Sequence, residues 1–289
     1  MELRLLEYFV AVCEELHVTK ASEKLGISQP TLSHQIRLLE HRMGTPLFQR
    51  IGKKIYITEA GHILYKHSQN VFHELEQAKA AINEIRGMQR GSLRIGCSGN
   101  HLLTAAMLAF HERYPNIELS VTELATEETQ EGLLHNRLDL GVVFLPTQDE
   151  LLDSIPLYNE QLELVVSATH KLAGVPSIEL RDLADIPLGM LQKKFYVRQM
   201  IDHYSEEVGV PLRPIVEMST LDSLLQMAKI SMGGAILPRS YLMAVKSSDI
   251  KAIPIINPTP QQEVGIVFRK DMYRCTTTDT FIQELLKHF

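Results

Sequence analysis

The chain has 289 residues, 45% hydrophobic and 22% charged, with a formal net charge of −6. That is too long for one ordinary core and too mixed in polarity for a fibrous or disordered chain, so two or three globular domains are expected. The acidic balance alone argues against nucleic acid as a partner, but its distribution reverses this. Residues 20–54 carry Lys20, Lys24, Arg37, Arg42, Arg50, Lys53 and Lys54 against Glu23 and Glu40, so +5 sits in one short stretch and −11 on the rest.

No apolar run is long enough to cross a membrane. The opening Met1-Glu2-Leu3-Arg4 reads as an amphipathic helix rather than a signal peptide, so a cytoplasmic protein is expected. Cys13, Cys97 and Cys275 are far apart and odd in number, which suits reduced thiols and gives neither a disulfide framework nor a zinc spacing. No metal or cofactor is expected.

Residues 3–16 predict a first helix with Leu6, Phe9, Val10, Cys13 and Leu16 along one stripe, Cys13 serving as a small buried hydrophobe. Two short helices follow around Gly26. Val18, Ala21, Leu25 and Ile27, then Leu32, Ile36, Leu39 and Met43, recur at helical spacing. Thr19 is expected to cap the first of the pair and Ser28 the second, with Pro30 inside the first turn, where a missing N–H costs little. The outer face of the second helix carries Gln29, Thr31, Ser33, His34 and Arg37, side chains able to hydrogen-bond base edges or phosphates. This is the pattern of a helix-turn-helix reader. After Gly44, Leu47, Phe48 and Arg50, a Gly52-Lys53-Lys54 turn, then Ile55, Tyr56 and Ile57 predict a hairpin with a basic tip, a wing placed to meet phosphates or the minor groove.

Thr58 is expected to cap the longest helix, from Glu59 to about Met88. Leu64, Ser68, Val71, Leu75, Ala78, Ile82 and Ile85 make a heptad seam that predicts a second copy of the chain across it. Gly87, Arg90 and Gly91 end the helix. Beyond them strands at 92–97, 117–123, 139–144, 163–168, 188–191, 213–217, 235–237 and 264–268 alternate with helices, the reading of a parallel, doubly wound α/β sheet. The expected domains are residues 1–58 (an all-α winged helix-turn-helix), 59–90 (a linker and dimerisation helix) and 91–289 (an α/β effector domain). The last has two lobes, 91–161 with 266–289 and 162–265, closing on a cleft like a periplasmic-binding-protein clamshell.

This order resembles the LysR-type transcriptional regulators along the whole chain. The resemblance is carried by LEYFVAVCEE, by ASEKLGISQPTLSHQIRLLEHRMGTPLFQR and by ITEAG after the wing. It implies a regulator that binds double-stranded promoter DNA as a homodimer or homotetramer and responds to a small metabolite between the lobes, with RNA polymerase a further candidate partner. Carried over by position, Gln29, Pro30, Thr31, Ser33 and His34 would read DNA, with Arg50 and Lys53 at the wing; Thr19, Arg37 and Lys54 are further DNA-binding candidates beside them. Family members often carry Arg where this chain has His34, which removes one reliable phosphate or guanine contact. Ser98, Gly99, Asn100, Thr126, Phe144, Lys194, Phe195, Arg198, Ser219 and Thr220 resemble the family's ligand-contacting loops. A carboxylated or otherwise anionic effector is expected there, because the 98–100 turn opens a helix.

Three rival readings follow from the same residues. Cys97 and His101 beside Ser98 could suggest nucleophilic catalysis, but no acidic partner is in place, and a non-enzyme is expected. No disulfide can form within the second lobe, since residues 162–265 contain no cysteine, and a redox pair of Cys97 with Cys275 stays open. An architectural DNA clamp would have no use for the cleft.

Overall fold

The computed structural model describes residues 2–52, 54–85, 91–147, 149–272 and 274–289. Lys53, Gly87, Met88 and Arg90 lie outside the described residues, as does the side chain of Ile85. The chain divides into one unit ending at Ile82 and a second beginning at Asn83.

In the first unit, α1 (Leu3–Glu15), α2 (Val18–Lys24) and α3 (Gln29–Met43) bury Phe9, Ala21, Leu32 and Leu39 in one core. Each large aliphatic or aromatic side chain sealed there contributes about 1.5–3 kcal/mol. Leu16 leaves the expected stripe: it is the exposed C-cap of α1, in left-handed conformation. The cap of α2 is not Thr19, which already lies inside the helix, but His17, extended at φ −152°, whose Nδ1 accepts from Lys20 N at 3.4 Å. Ser28 does cap α3, its Oγ accepting from Thr31 N at 3.3 Å.

The wing is an antiparallel pair, β1 (Phe48–Ile51) and β2 (Lys54–Ile57), with Arg50 opposite Ile55. Two side chains fasten it to the helices on either side. The Glu40 carboxylate accepts from Leu47 N at 2.9 Å and Phe48 N at 3.2 Å. Thr58 caps α4 (Glu59–Ile85), its hydroxyl accepting from Gly61 N at 3.0 Å and donating to Pro46 O at 2.8 Å. Gly61 lets the helix start this close: a Cβ there would fall well inside contact distance of the Leu47 carbonyl oxygen. Leu64 and Tyr65 pack on the core of this unit, so Leu64 is not free for a partner chain, whereas Val71, Leu75, Ala78 and Ile82 are exposed further along α4.

The second unit holds two sheets that share one long strand. In the first lobe the order is β4 (Ile117–Glu123), β3 (Gly91–Cys97), β5 (Leu140–Phe144), β12 (Gln261–Arg269), β6 (Leu152–Ser167). In the second lobe the far half of β6 is flanked by β11 (Ile250–Ile256), which also pairs with the short β7 (Ile178–Glu179), and by β10 (Gly234–Pro238), then β8 (Leu188–Leu191) and β9 (Val216–Met218). Within each lobe three strands are parallel, but β12 and β6 run antiparallel to their neighbours. The sheets are therefore mixed, not purely parallel as expected, because β6, which runs from one lobe into the other, and its partner β12 are set against the direction of the strands beside them.

β6 spans 16 residues, far more than the expected 163–168. Pro156 and the polar run Asn159-Glu160-Gln161 have low strand propensity, yet pairing with β12 overrides it, at the cost of a bulge opposite Val264 and Gly265. The return crossing lies between β11 and β12, so residues 261–265 pair in the first lobe and the expected boundary at 266 moves to 261. Helices α5 (Thr104–Arg113), α6 (Thr126–Leu134), α7 (Tyr196–Glu207), α8 (Leu221–Lys229), α9 (Arg239–Val245) and α10 (Thr276–Leu286) complete the unit.

Candidate nucleic-acid interface and effector cleft

On α3 the buried face is Leu32, Ile36 and Leu39, which leaves Pro30, Thr31, His34 and Arg37 exposed together on the N-terminal half. Gln29 and Ser33 are half-buried and joined, Gln29 Nε2 donating to Ser33 Oγ at 2.8 Å, so the amide oxygen remains the open acceptor of that pair. Not every cation of the basic stretch is available. Lys24 pairs with Glu14 at 2.8 Å and Arg42 with Glu2 at 3.5 Å. Among the described residues, Lys20, Arg37, Arg50 and Lys54 are exposed and form no ion pair, and Arg50 and Lys54 stand on the wing. The surface offers hydrogen-bonding groups on a groove-sized helix and unpaired cations on α2, on that helix and on the wing, which suits base edges and phosphates respectively.

The second candidate site is the cleft between the lobes. Ser98, Glu123, Leu124 and Phe144 line it from the first lobe, and Phe195, Tyr196, Val197 and Ser219 from the second. Phe144 stacks on Tyr196 with ring centroids 4.7 Å apart and planes 15° from parallel. Lys194 reaches Glu128 at 3.4 Å. With these contacts made, only about 10 Å³ is open to a water-sized group, too little for a metabolite. The cleft is closed. A groove of about 750 Å³ between α5 and the edge strand β4 is roomier, but it lies within one lobe and includes only Asn100 of the expected effector residues.

The expected effector residues do not all face the cleft with free groups. The Arg198 guanidinium is buried and held by Asp202 at 2.8 Å, Glu217 at 2.6 Å and the Leu191 carbonyl at 3.0 Å, so it braces α7 against β8 and β9 instead of awaiting an anion. Thr220 rather than Ser219 caps α8, accepting from Ser223 N at 3.2 Å, which leaves the Ser219 hydroxyl on the cleft wall. Ser98 Oγ lies 3.4 Å from Thr126 Oγ1, and Asn100 Oδ1 accepts from the Cys97 thiol. Sequence reading missed Glu123, whose carboxyl burial pushes upward, and Tyr196. Both sit at element ends, where periodicity carries no signal.

Cys97 is fully buried and its thiol is pushed up to about 12, chiefly by desolvation. Burial pushes the His101 imidazole down to about 4, and its Nε2 meets Ser240 Oγ at 2.9 Å. The two form no nucleophile and base. All three thiols are free, Cys275 bonding to Thr278 at the start of α10.

A winged helix-turn-helix continued by a long helix into a two-lobed α/β clamp defines a DNA-binding regulator with a built-in ligand domain. Residues 3–62 match the family model for the bacterial regulatory helix-turn-helix protein, lysR family, and residues 86–289 that for the LysR substrate binding domain. The chain belongs to this family and is a LysR-type DNA-binding transcriptional regulator. It is 32% identical to the uncharacterized HTH-type transcriptional regulator YwbI of Bacillus subtilis, covering 94% of this chain and 92% of that one. It is 29% identical to the DNA-binding transcriptional dual regulator OxyR of Escherichia coli, over 93% and 90%. A full-length OxyR variant from Pseudomonas aeruginosa superposes with a TM-score of 0.73 at 25% identity, over 99% and 94% of the two chains. Among the described residues no helix is long and apolar enough to cross a membrane.

Proposed function

We propose that this regulator binds promoter DNA as a homodimer, placing two α3 helices in successive major grooves with the wings on flanking phosphates, and that a small effector between the lobes alters that binding. The carrying observation is the exposed set Thr31, His34 and Arg37 beside the unpaired wing cations Arg50 and Lys54. Dimerisation is supported by Val71, Leu75, Ala78 and Ile82, exposed at heptad spacing on α4. Tetramers and RNA polymerase contacts belong to the same reading.

The effector is a small metabolite with an anionic group. The N-termini of α6, α7 and α8 converge on the cleft with the Ser98 and Ser219 hydroxyls, and Lys194, once released from Glu128, supplies the counter-charge. Glu123 in the same lining selects for a ligand that also donates a hydrogen bond.

Several relatives are named as hydrogen peroxide-inducible activators. Ligand binding rather than thiol oxidation is the reading for this chain, because residues 162–265 hold no cysteine and the thiols elsewhere are buried. The reading is of a regulator rather than an enzyme: Cys97 and His101, the nucleophile and base that the sequence offers, are each bonded to another side chain, Asn100 and Ser240.

A promoter footprint with and without candidate metabolite acids, and with peroxide, tests this. Protection of two half-sites about one helical turn apart, altered by a metabolite and indifferent to peroxide, is the expected result. A footprint that responds to peroxide alone would overturn the ligand reading, and no sequence-specific protection under any condition would overturn the DNA reading.

A further inference from the structure

Glu160 is a carboxylate almost wholly removed from solvent, 2% exposed, on β6 two residues before that strand passes from the first lobe into the second. It is fully partnered. Tyr158 Oη donates to Oε2 at 2.8 Å, Gln161 N to Oε1 at 3.1 Å and Ser240 N to Oε1 at 3.1 Å, and the Ser240 hydroxyl donates to Oε2. Ser240 belongs to α9 of the second lobe. Its single hydroxyl proton is spent on Glu160, so the 2.9 Å contact to His101 requires His101 to donate through Nε2. The direction of the chain is therefore set: His101 N–H to Ser240 O–H to the Glu160 carboxylate.

His101 comes from the first lobe, in the turn Asn100–Leu102 that continues directly from the cleft residue Ser98. Its ring also stands edge-on to Tyr241 at 5.4 Å, and Tyr241 Oη donates to Asp222 in the first turn of α8, whose preceding residues are the cleft-lining Ser219 and the cap Thr220. The polar chain is thus attached to one cleft loop from each lobe. It crosses the lobe boundary beside the strand on which the lobes would pivot.

We propose that His101–Ser240–Glu160 is an interlobe latch, and that the His101–Ser240 hydrogen bond holds the lobes in the closed arrangement seen here. Its consequence for regulation rests on the cleft being the effector site, since a group bound at Ser98 or Ser219 pulls on a loop that carries one half of the latch. The latch itself needs neither ligand nor DNA to be measured.

The experiment uses the full-length, ligand-free protein with spin labels at E112C on α5 and E206C on α7, both exposed, in the parent whose own thiols are buried. Dilution with unlabelled protein restricts the reading to distances within one chain. Electron–electron resonance should give one narrow distance for the parent. Ser240→Ala and His101→Ala should each raise a longer, open population about ten-fold, the equivalent of one buried hydrogen bond. His101→Gln, which keeps an N–H donor, should return the distribution toward the parent.

Three results would overturn the latch. One is an unchanged distance in Ser240→Ala. Another is a Gln variant as open as the Ala variant, which would show that ring packing holds the lobes. The third is loss of cooperative folding in Ser240→Ala, which would make the chain part of the core. Failure of any metabolite to bind would sink the effector reading and leave the distances to decide the latch independently.

Discussion

Replacing Gly61 by Ala tests how the wing is held. The added methyl would lie 2.6 Å from Ile57 Cγ2 and closer still to the Leu47 carbonyl oxygen. That carbonyl already accepts from Thr58 N at 3.0 Å, and Thr58 donates its hydroxyl to Pro46 O, so the loop cannot retreat without disturbing the cap of α4. In an open helix the exchange would gain up to about 1 kcal/mol from propensity. Here overpacking costs about 1–3 kcal/mol, and a disturbed cap adds about 1 kcal/mol. The net expectation is a loss of about 1–3 kcal/mol from a unit whose whole stability is of order 5–10 kcal/mol. Leu47 leads directly into β1, so the wing should shift as well. Urea unfolding followed by circular dichroism should show a lower midpoint for the helix-turn-helix transition, and operator affinity should fall with it. A Gly61→Ala protein as stable as the parent and binding as tightly would refute the close-approach argument.

Arg198→Met should lower the stability of the effector domain by about 1–3 kcal/mol, a range kept modest because Asp202 and Glu217, at 26% and 46% exposed, can rehydrate. Calorimetry should show effector affinity nearly unchanged, and a large loss of affinity at unaltered stability would return Arg198 to the binding site. Leu75→Glu puts a charge on the exposed stripe of α4 and should convert the dimer to monomer in sedimentation; an unchanged sedimentation coefficient would remove α4 from the interface. His101 resists protonation when folded but takes it up readily when unfolded, so the unfolded chain binds more protons below its ordinary value of 6.5. Its contribution is intact above that pH and is lost progressively toward about 4, by up to about 1.4 kcal/mol per pH unit. The difference in unfolding free energy between the parent and His101→Gln should therefore change from pH 7 to pH 4.5, and a pH-independent difference would contradict it.

Much of the first unit was legible from residue order because its signals are local. Ser28, Pro30 and the period of Leu32, Ile36 and Leu39 define α3 within a few turns of backbone, and Thr58 announces α4 in the same way. The exposed polar face of α3 and the basic wing followed from the same spacing. Thr19 misled because either of two neighbouring polar side chains can cap a helix, and only backbone angles chose His17.

What the amino-acid order determined by itself was the class of most elements, though not of α9, β11 or the first half of β6, together with the reader helix, the exposed stripe on α4 and two α/β lobes, since each rests on periodicity or on a cap within a few residues. Tertiary structure alone decided the length of β6, the antiparallel setting of β6 and β12 and the fate of individual charges. β6 is held by partners about a hundred residues away in β12, and Arg198 is neutralised by Glu217, 19 residues further along the chain. Pairing across such separations depends on where the folded backbone brings groups together, and no local pattern encodes that geometry.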